Sequence, residues 1–284
     1  MRRKRFLYIL AAVIAVLGLS LEARTIYVTR HGQREKGPIK AIREPALTKL
    51  GIQQAQALAD YLVHKRKFKG VVYTSPFYRT VETAIYTGKL LKKKVILEPG
   101  IQELATISHP APPGMSFAQI ESYFPGLTVR GKRFKDQWRL CKESHLQRSV
   151  RVAKALEEIL AEEKGDILLV GHGASVGDLL QALNLKRIKG VRKIKGTAWN
   201  CALYIFELND REQVVSGRYT TEFMNDKDVT NNFRCPKIER PNDPQYMTRA
   251  GDRADRAKRA AKNKKQAGKA KNNVKSPKSP SPIK

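Results

Sequence analysis

Two hydrophobic periods alternate along this chain. "TIYVTR", residues 25–30, is a β-branched apolar run that predicts a buried strand ending at His31-Gly32. "LTKLGIQQAQALADYLVHK" sets Ala55, Leu58 and Leu62 at helical spacing behind Thr48, whose hydroxyl suits a helix start. "GVVYTS" predicts a short strand closed by Ser75-Pro76, "FYRTVETAIYTGKLL" a helix and "KVILEP" a third strand. After the loop signal "HPAPPG" the pattern is irregular through Trp138. "LQRSVRVAKALEEILAEEKG" then predicts a long helix with Val152, Leu156, Ile159 and Leu160 facing inward. "DILLVGHG" reads as a strand, "ASVGDLLQALNL" as a helix, and "AWNCALYIFEL" as a final strand before the chain turns polar.

Alternating strands and helices build a layered α/β domain around a mostly parallel sheet. In such sheets ligands sit beyond the carboxyl ends of the strands. That rule picks out four clusters. Arg30-His31-Gly32 ends the first strand, and Ser75-Pro76 with Arg79 follows the second. Glu98 to Glu103 follows the third, and Gly171-His172-Gly173 ends the fourth. With Arg34, two histidines, three arginines and carboxylates converge on one edge.

The residue types suggest the chemistry. An imidazole with an ordinary pKa of ~6.5 is partly neutral near pH 7 and can act as nucleophile or base. Flanking arginines favour the neutral form by repulsion, and their planar forks suit bidentate phosphate contacts. A nucleophilic nitrogen among guanidinium groups fits phosphoryl transfer, where catalysis is mostly positioning and charge stabilisation. Taken singly, each piece has a plainer reading. Arg-His-Gly can be an accidental surface tripeptide, Arg79 a solvated helix-start cation, and His172 a satisfied core histidine. It is their ordered occurrence at successive strand ends that points to a site.

Composition adds two ends to this domain. The 284 residues are 41% hydrophobic, enough for a core, and carry a net charge of +29. Much of that excess lies after Lys237, in a segment with almost no large apolar residues. Such a segment cannot offset its ordering entropy, so residues 237–284 are expected to be a basic disordered tail able to contact polyanions. At the other end "MRRKR" precedes an apolar run from Phe6 to Leu19 and a small residue, Ala23. Residues 1–23 thus read as a signal peptide. Leu21, in the minus-three position of a cleavage after Ala23, equally leaves an uncleaved membrane anchor open. Either reading places the remaining chain in the secretory pathway, secreted or anchored with a lumenal or extracellular domain. The lack of an Asn-x-Ser/Thr sequon and the ending "SPKSPSP" pull the other way. Cys141, Cys201 and Cys235 are too few for a disulfide scaffold.

The stretches "TRHGQR", "LTKLGIQQAQALA", "YTSPFYRTVETA", "LEPGIQEL" and "LVGHGASV" resemble the histidine phosphatase superfamily, with its phosphoglycerate mutase-like fold. They run in the family's order over about residues 25–208. Within it the chain is most similar to the phosphatase domain of the ubiquitin-associated and SH3-containing T-cell signalling suppressors and of ecdysteroid-phosphate phosphatase. Arg34, the "EPGxxE" phrase and "RKIKGTAWNCALYIFEL" carry that likeness. The resemblance implies a three-layer helix–sheet–helix sandwich over residues 24–236 and no cofactor or metal. It implies that His31 takes the phosphoryl group, that Arg30, Arg34, Arg79 and His172 hold its oxygens, and that Glu103 is the general acid/base. Glu98 is the rival acid, and the second carboxylate of "LEPGIQEL" matches the family position better. Mutases carry a small polar residue where this chain has Arg34, and the acid-phosphatase branch has aspartate where Gly173 stands. Both departures favour a phosphatase using Glu103.

The expected activity is therefore hydrolysis of a phosphomonoester, either a small molecule or a phosphoprotein. A catalytically weak signalling or binding protein of the same fold is the alternative. The rim of the pocket falls in residues 102–138, so substrate identity stays open at this level, as does oligomeric state.

Overall fold

The computed structural model describes residues 23–35, 44–104, 114–138, 143–196 and 199–230. The N-terminal segment, the basic tail, Cys141 and Cys235 lie outside them. Twelve main elements follow in chain order: β1 (Arg24–Arg30), α1 (Lys49–Asp60), β2 (Val71–Thr74), α2 (Tyr78–Leu91), β3 (Val95–Leu97), α3 (Phe117–Tyr123), β4 (Thr128–Arg130), α4 (His145–Glu162), β5 (Ile167–Gly171), α5 (Gly173–Leu185), β6 (Leu203–Leu208) and β7 (Val214–Thr220).

The strands form one seven-stranded sheet in the order β4-β3-β2-β5-β1-β6-β7. Five neighbours, β4 through β1, are parallel; β6 runs against both β1 and β7. At the centre, β1 pairs with β5 in the register Ile26↔Ile167 to Arg30↔Gly171. These two strands are almost wholly buried, which is why they read as continuous apolar runs rather than alternating ones. Helix α1 packs on α2, and α4 packs on α5. A parallel crossover is right-handed, so the leftward connections through α1 and α2 and the rightward one through α4 fall on opposite faces. The result is the expected helix–sheet–helix sandwich.

Local chemistry sets the helix starts. Thr48 caps α1 by accepting from the Gly51 N–H, and Ser144 with Gln147 forms a reciprocal capping box on α4. The inward stripe of α4 is Val152, Ala155, Leu156, Ile159 and Leu160. Two glycines permit a close backbone crossing that sets the first loop. A Cβ on Gly51 would lie 2.0 Å from the Gln33 carbonyl oxygen, and one on Gly32 2.5 Å from the Gly51 oxygen.

The structure adds three elements to those read from the sequence. Helix α3 is a seven-residue helix held by a Ser116–Gln119 capping box, too short to show a period. Strand β4 has one buried residue, Thr128, followed by the exposed Val129 and Arg130. Strand β7 continues beyond the strand expected to be last; it is an edge strand with a half-exposed, glycine-containing centre and lacks an apolar run.

Candidate active site

Each central strand delivers one piece of the site at its carboxyl end. The His31 N–H donates to the Gly171 carbonyl at 3.0 Å, extending the β1–β5 ladder by one residue and fixing the backbone there. The carbonyl of His31 accepts from Asn200 Nδ2 at 2.9 Å, and that of Arg30 from the Cys201 N–H at 3.1 Å. Gly32 donates its N–H to Thr83 Oγ1 at 3.0 Å, and the same hydroxyl donates to the Arg79 carbonyl at 2.7 Å. Thr83 thus ties the histidine turn of β1 to the first turn of α2.

Both histidine rings lie below the surface, 1% exposed for His31 and 0% for His172, with their centroids 5.5 Å apart. His31 Nδ1 lies 2.7 Å from the Gly32 carbonyl oxygen. A carbonyl can only accept, so Nδ1 carries the proton and Nε2 keeps its lone pair. In His172, Nδ1 lies 3.0 Å from Arg79 Nη2, which can only donate, and Nε2 is 2.9 Å from Ser75 Oγ. Its proton therefore sits on Nε2. Burial, reinforced for His31 by Arg30 and Arg79, holds that imidazole well below the usual histidine range. His172 is held down by burial first and then by Arg79 and His31.

Arg30 and Arg79 are 6% and 7% exposed. Burial lowers Arg30 somewhat while Glu103 opposes the shift, and an arginine remains charged throughout. The Arg30 guanidinium lies along the start of α5, its Cζ 3.6 Å from where a Cβ on Gly173 would sit. Arg79 stacks over Phe77 at 4.7 Å, and the edge of Phe77 meets His172 at 4.9 Å and Trp138 at 5.0 Å. Two buried guanidiniums beside two neutral imidazoles form a cationic pocket floor at the sheet edge.

The remaining residues differ in depth. Glu103 Oε2 approaches His172 Nδ1 to 3.9 Å, its side chain is 32% exposed, and Oε1 accepts from the Leu104 N–H. Glu98, by contrast, is fully buried, accepting from the Gly100 N–H at 2.7 Å and from Arg133 Nε at 2.6 Å. It shapes the turn that carries Glu103 and does not face the histidines. Arg34 stands at the rim: it bridges to Leu47, donates from Nη1 to the Glu35 carbonyl, and its charge reaches both Arg30 and His31.

Several supporting residues escape a sequence reading. Thr83 is one of three threonines in α2 and nothing in the pattern marks it. Asn200 precedes β6, and only the antiparallel course of that strand brings it to the catalytic edge. Arg151 in α4 donates to the carbonyls of Gly100 (2.7 Å) and Gln102 (3.5 Å) while paired with Glu143, and so holds the turn before Glu103.

The model of the histidine phosphatase superfamily (branch 1) matches residues 26–221. The transcription factor tau 55 kDa subunit of Saccharomyces cerevisiae is 32% identical over 182 residues, 53% of this chain and 39% of that protein. A putative phosphoserine phosphatase 2 of Hydrogenobacter thermophilus is 25% identical over 165 residues, 54% of this chain and 75% of that one. The chain therefore spans about two fifths of the length of the yeast protein. Among solved structures, ecdysone phosphate phosphatase from Bombix mori in complex with tungstate superposes with a TM-score of 0.49 at 21% identity, covering 68% of this chain and 92% of that one. A phosphoserine phosphatase mutant from Entamoeba histolytica in complex with phosphoserine gives 0.46 at 20%, covering 70% and 97%.

Proposed function

The chain belongs to the histidine phosphatase superfamily, and from that premise we propose that it hydrolyses phosphomonoesters through a phosphohistidine on His31. The observation that carries this reading is the tautomer of His31. A buried imidazole whose Nδ1 proton is given to Gly32 offers its Nε2 lone pair among guanidinium groups.

In the first step Nε2 attacks phosphorus, the P–O bond to the leaving group breaks, and the protonated Glu103 carboxyl gives its proton to the departing oxygen. In the second, the Glu103 carboxylate takes a proton from water, whose oxygen attacks phosphorus as the P–N bond breaks. Inorganic phosphate leaves and His31 is restored. Arg30 and Arg79 neutralise the equatorial oxygens throughout, and charge fixed in a buried site acts without reorganising. His172 adds contact to the same oxygens. Arg34 contributes charge from the rim. Glu103 is the better acid than Glu98, because it is accessible and beside His172 while Glu98 is consumed by Gly100 and Arg133.

Purified protein is expected to hydrolyse p-nitrophenyl phosphate in the presence of EDTA, and His31→Ala to lose roughly 10⁴-fold or more of that rate. Retained turnover in the variant would sink the mechanism. A second reading draws on the yeast relative, whose name makes it a transcription factor subunit: a phosphatase fold used for assembly. The full set of two histidines, three arginines and Glu103 favours catalysis. Phosphate binding without turnover across a broad panel of small-molecule phosphoesters and phosphopeptides would decide for the second reading.

A further inference from the structure

The strongest feature outside the catalytic edge is the loop that follows α5, "LKRIKGVRKIKG", residues 185–196. It is two six-residue units of one pattern, apolar-cation-cation-Ile-Lys-Gly, and no acidic residue occurs between Asp178 and Glu207. A solvated run of charge needs no internal framework, yet this loop has one. The buried Asn184 side chain closes it with two bonds, donating to the Ile194 carbonyl at 2.7 Å and accepting from the Ile194 N–H at 2.9 Å. Arg187 braces it from within, donating to the carbonyls of Asn184 and Val191. Ile194 is buried over Gly217, where a Cβ would come within 2.6 Å of it, and Gly190 makes the turn at φ +92°.

With Arg187 used as a brace and Lys186 paired to Glu157, four cations remain on the outside: Lys189, Arg192, Lys193 and Lys195 are all exposed, and none forms an ion pair with another described residue. Two apolar side chains share their surface. Leu185 is the most exposed large hydrophobic among the described residues, at 82%, and Ile188 is 38% exposed. Cations interleaved with exposed aliphatic groups are the composition of a surface that lies in a lipid headgroup region. The loop has no aromatic residue on which bases could stack, which disfavours single-stranded nucleic acid.

Position strengthens the assignment. Arg24 pairs with Leu208, Leu208 with Val214, and Val214 with Arg187. The loop therefore lies about 15 Å from the start of β1, three strand spacings along one edge of the sheet. The chain enters β1 at this edge directly after "MRRKRFLYILAAVIAVLGLS", its basic and apolar N-terminal segment. The catalytic edge lies at the other end of α5, whose 13 residues span about 20 Å. We infer that the 185–196 loop is a preformed contact for an anionic phospholipid surface, holding the phosphatase with its catalytic edge away from the bilayer. The inference is independent of the catalytic reading.

Hydrogen–deuterium exchange on the full chain separates the loop from the other basic and apolar segments. Bound to phosphatidylcholine–phosphatidylserine vesicles, the 185–196 segment should exchange several-fold more slowly, with no change at Arg30–Gly32 or His172. Vesicles of phosphatidylcholine alone should give no protection of the loop. Replacing Lys189, Arg192, Lys193 and Lys195 together by Gln should remove the protection and weaken vesicle binding about tenfold or more. Leu185→Ser should weaken it less. Both variants should keep the Tm of the parent, which verifies that they fold. Vesicle-bound full chain with an unprotected loop overturns the proposal. So does protection by heparin oligosaccharide or duplex DNA with none by vesicles, which would reassign the loop to that polyanion.

Discussion

His31 and His172 are both neutral and buried, and that state carries a cost that pH reveals. Their folded pKa values are depressed, so the unfolded chain binds protons first as pH falls below about 6.5. Stability is then fully present above that value and declines with acidification. The urea midpoint should be lower at pH 5 than at pH 7.5, and a midpoint independent of pH across that range would contradict the buried, neutral state of the two imidazoles. The same depression places the acid limb that His31 contributes to kcat/KM below the ordinary histidine value.

Glu103 calls for a different probe, because its role shows in the leaving group. A phenolate with a low pKa departs unaided, whereas an alkoxide needs the proton. Glu103→Gln should cost an alkyl phosphate about 10²–10⁴-fold in kcat and p-nitrophenyl phosphate far less. Equal losses for both substrates would remove Glu103 from the acid role. Arg30, His31, Arg79 and His172, which the fold brings together, stand out in the sequence because strand-end position and residue type coincide in them, whereas Arg34 and Glu103 are singled out by the family resemblance. Thr83 and Asn200 are marked by neither, since their function is to hold backbone groups that only the folded chain brings within reach.

At the scale of elements, α4 acts on the site at a distance. Its Arg151 grips the carbonyls of Gly100 and Gln102 while Glu98 closes the same turn from below. Arg151→Met should therefore reproduce part of the Glu103→Gln signature, with a larger loss for alkyl phosphates than for p-nitrophenyl phosphate. A uniform loss would make Arg151 a stability residue alone. The crossing of α1 over the first loop is the other element-level constraint. Gly51→Ala forces a Cβ onto the Gln33 carbonyl and should cost about 2 kcal/mol or more, read as a fall in Tm. Long elements with a clean period, α4 and β5 above all, could be read directly. Helix α3, β4 and β7 could not, because they are short or lie at the edge and owe their form to neighbours rather than to their own pattern.

For the molecule as a whole, charge is divided among the tail, the N-terminal segment and the 185–196 loop. Deleting residues 238–284 should reduce retention on heparin at moderate salt and leave turnover unchanged, as expected if that basic segment serves attachment only. Whether the first 23 residues are removed in the mature protein is decided by N-terminal sequencing of secreted or membrane-bound material, and a chain beginning at Arg24 would establish cleavage. The order of strands and helices, the sheet's parallel character and the histidine–arginine set at its edge follow from local pattern, since burial on both faces and strand-end position leave their mark residue by residue. The sheet order, the reversed course of β6, the tautomers of the two histidines and the placing of the basic loop beside the start of β1 arise only on folding. They depend on which distant backbone groups meet, and no local period records that.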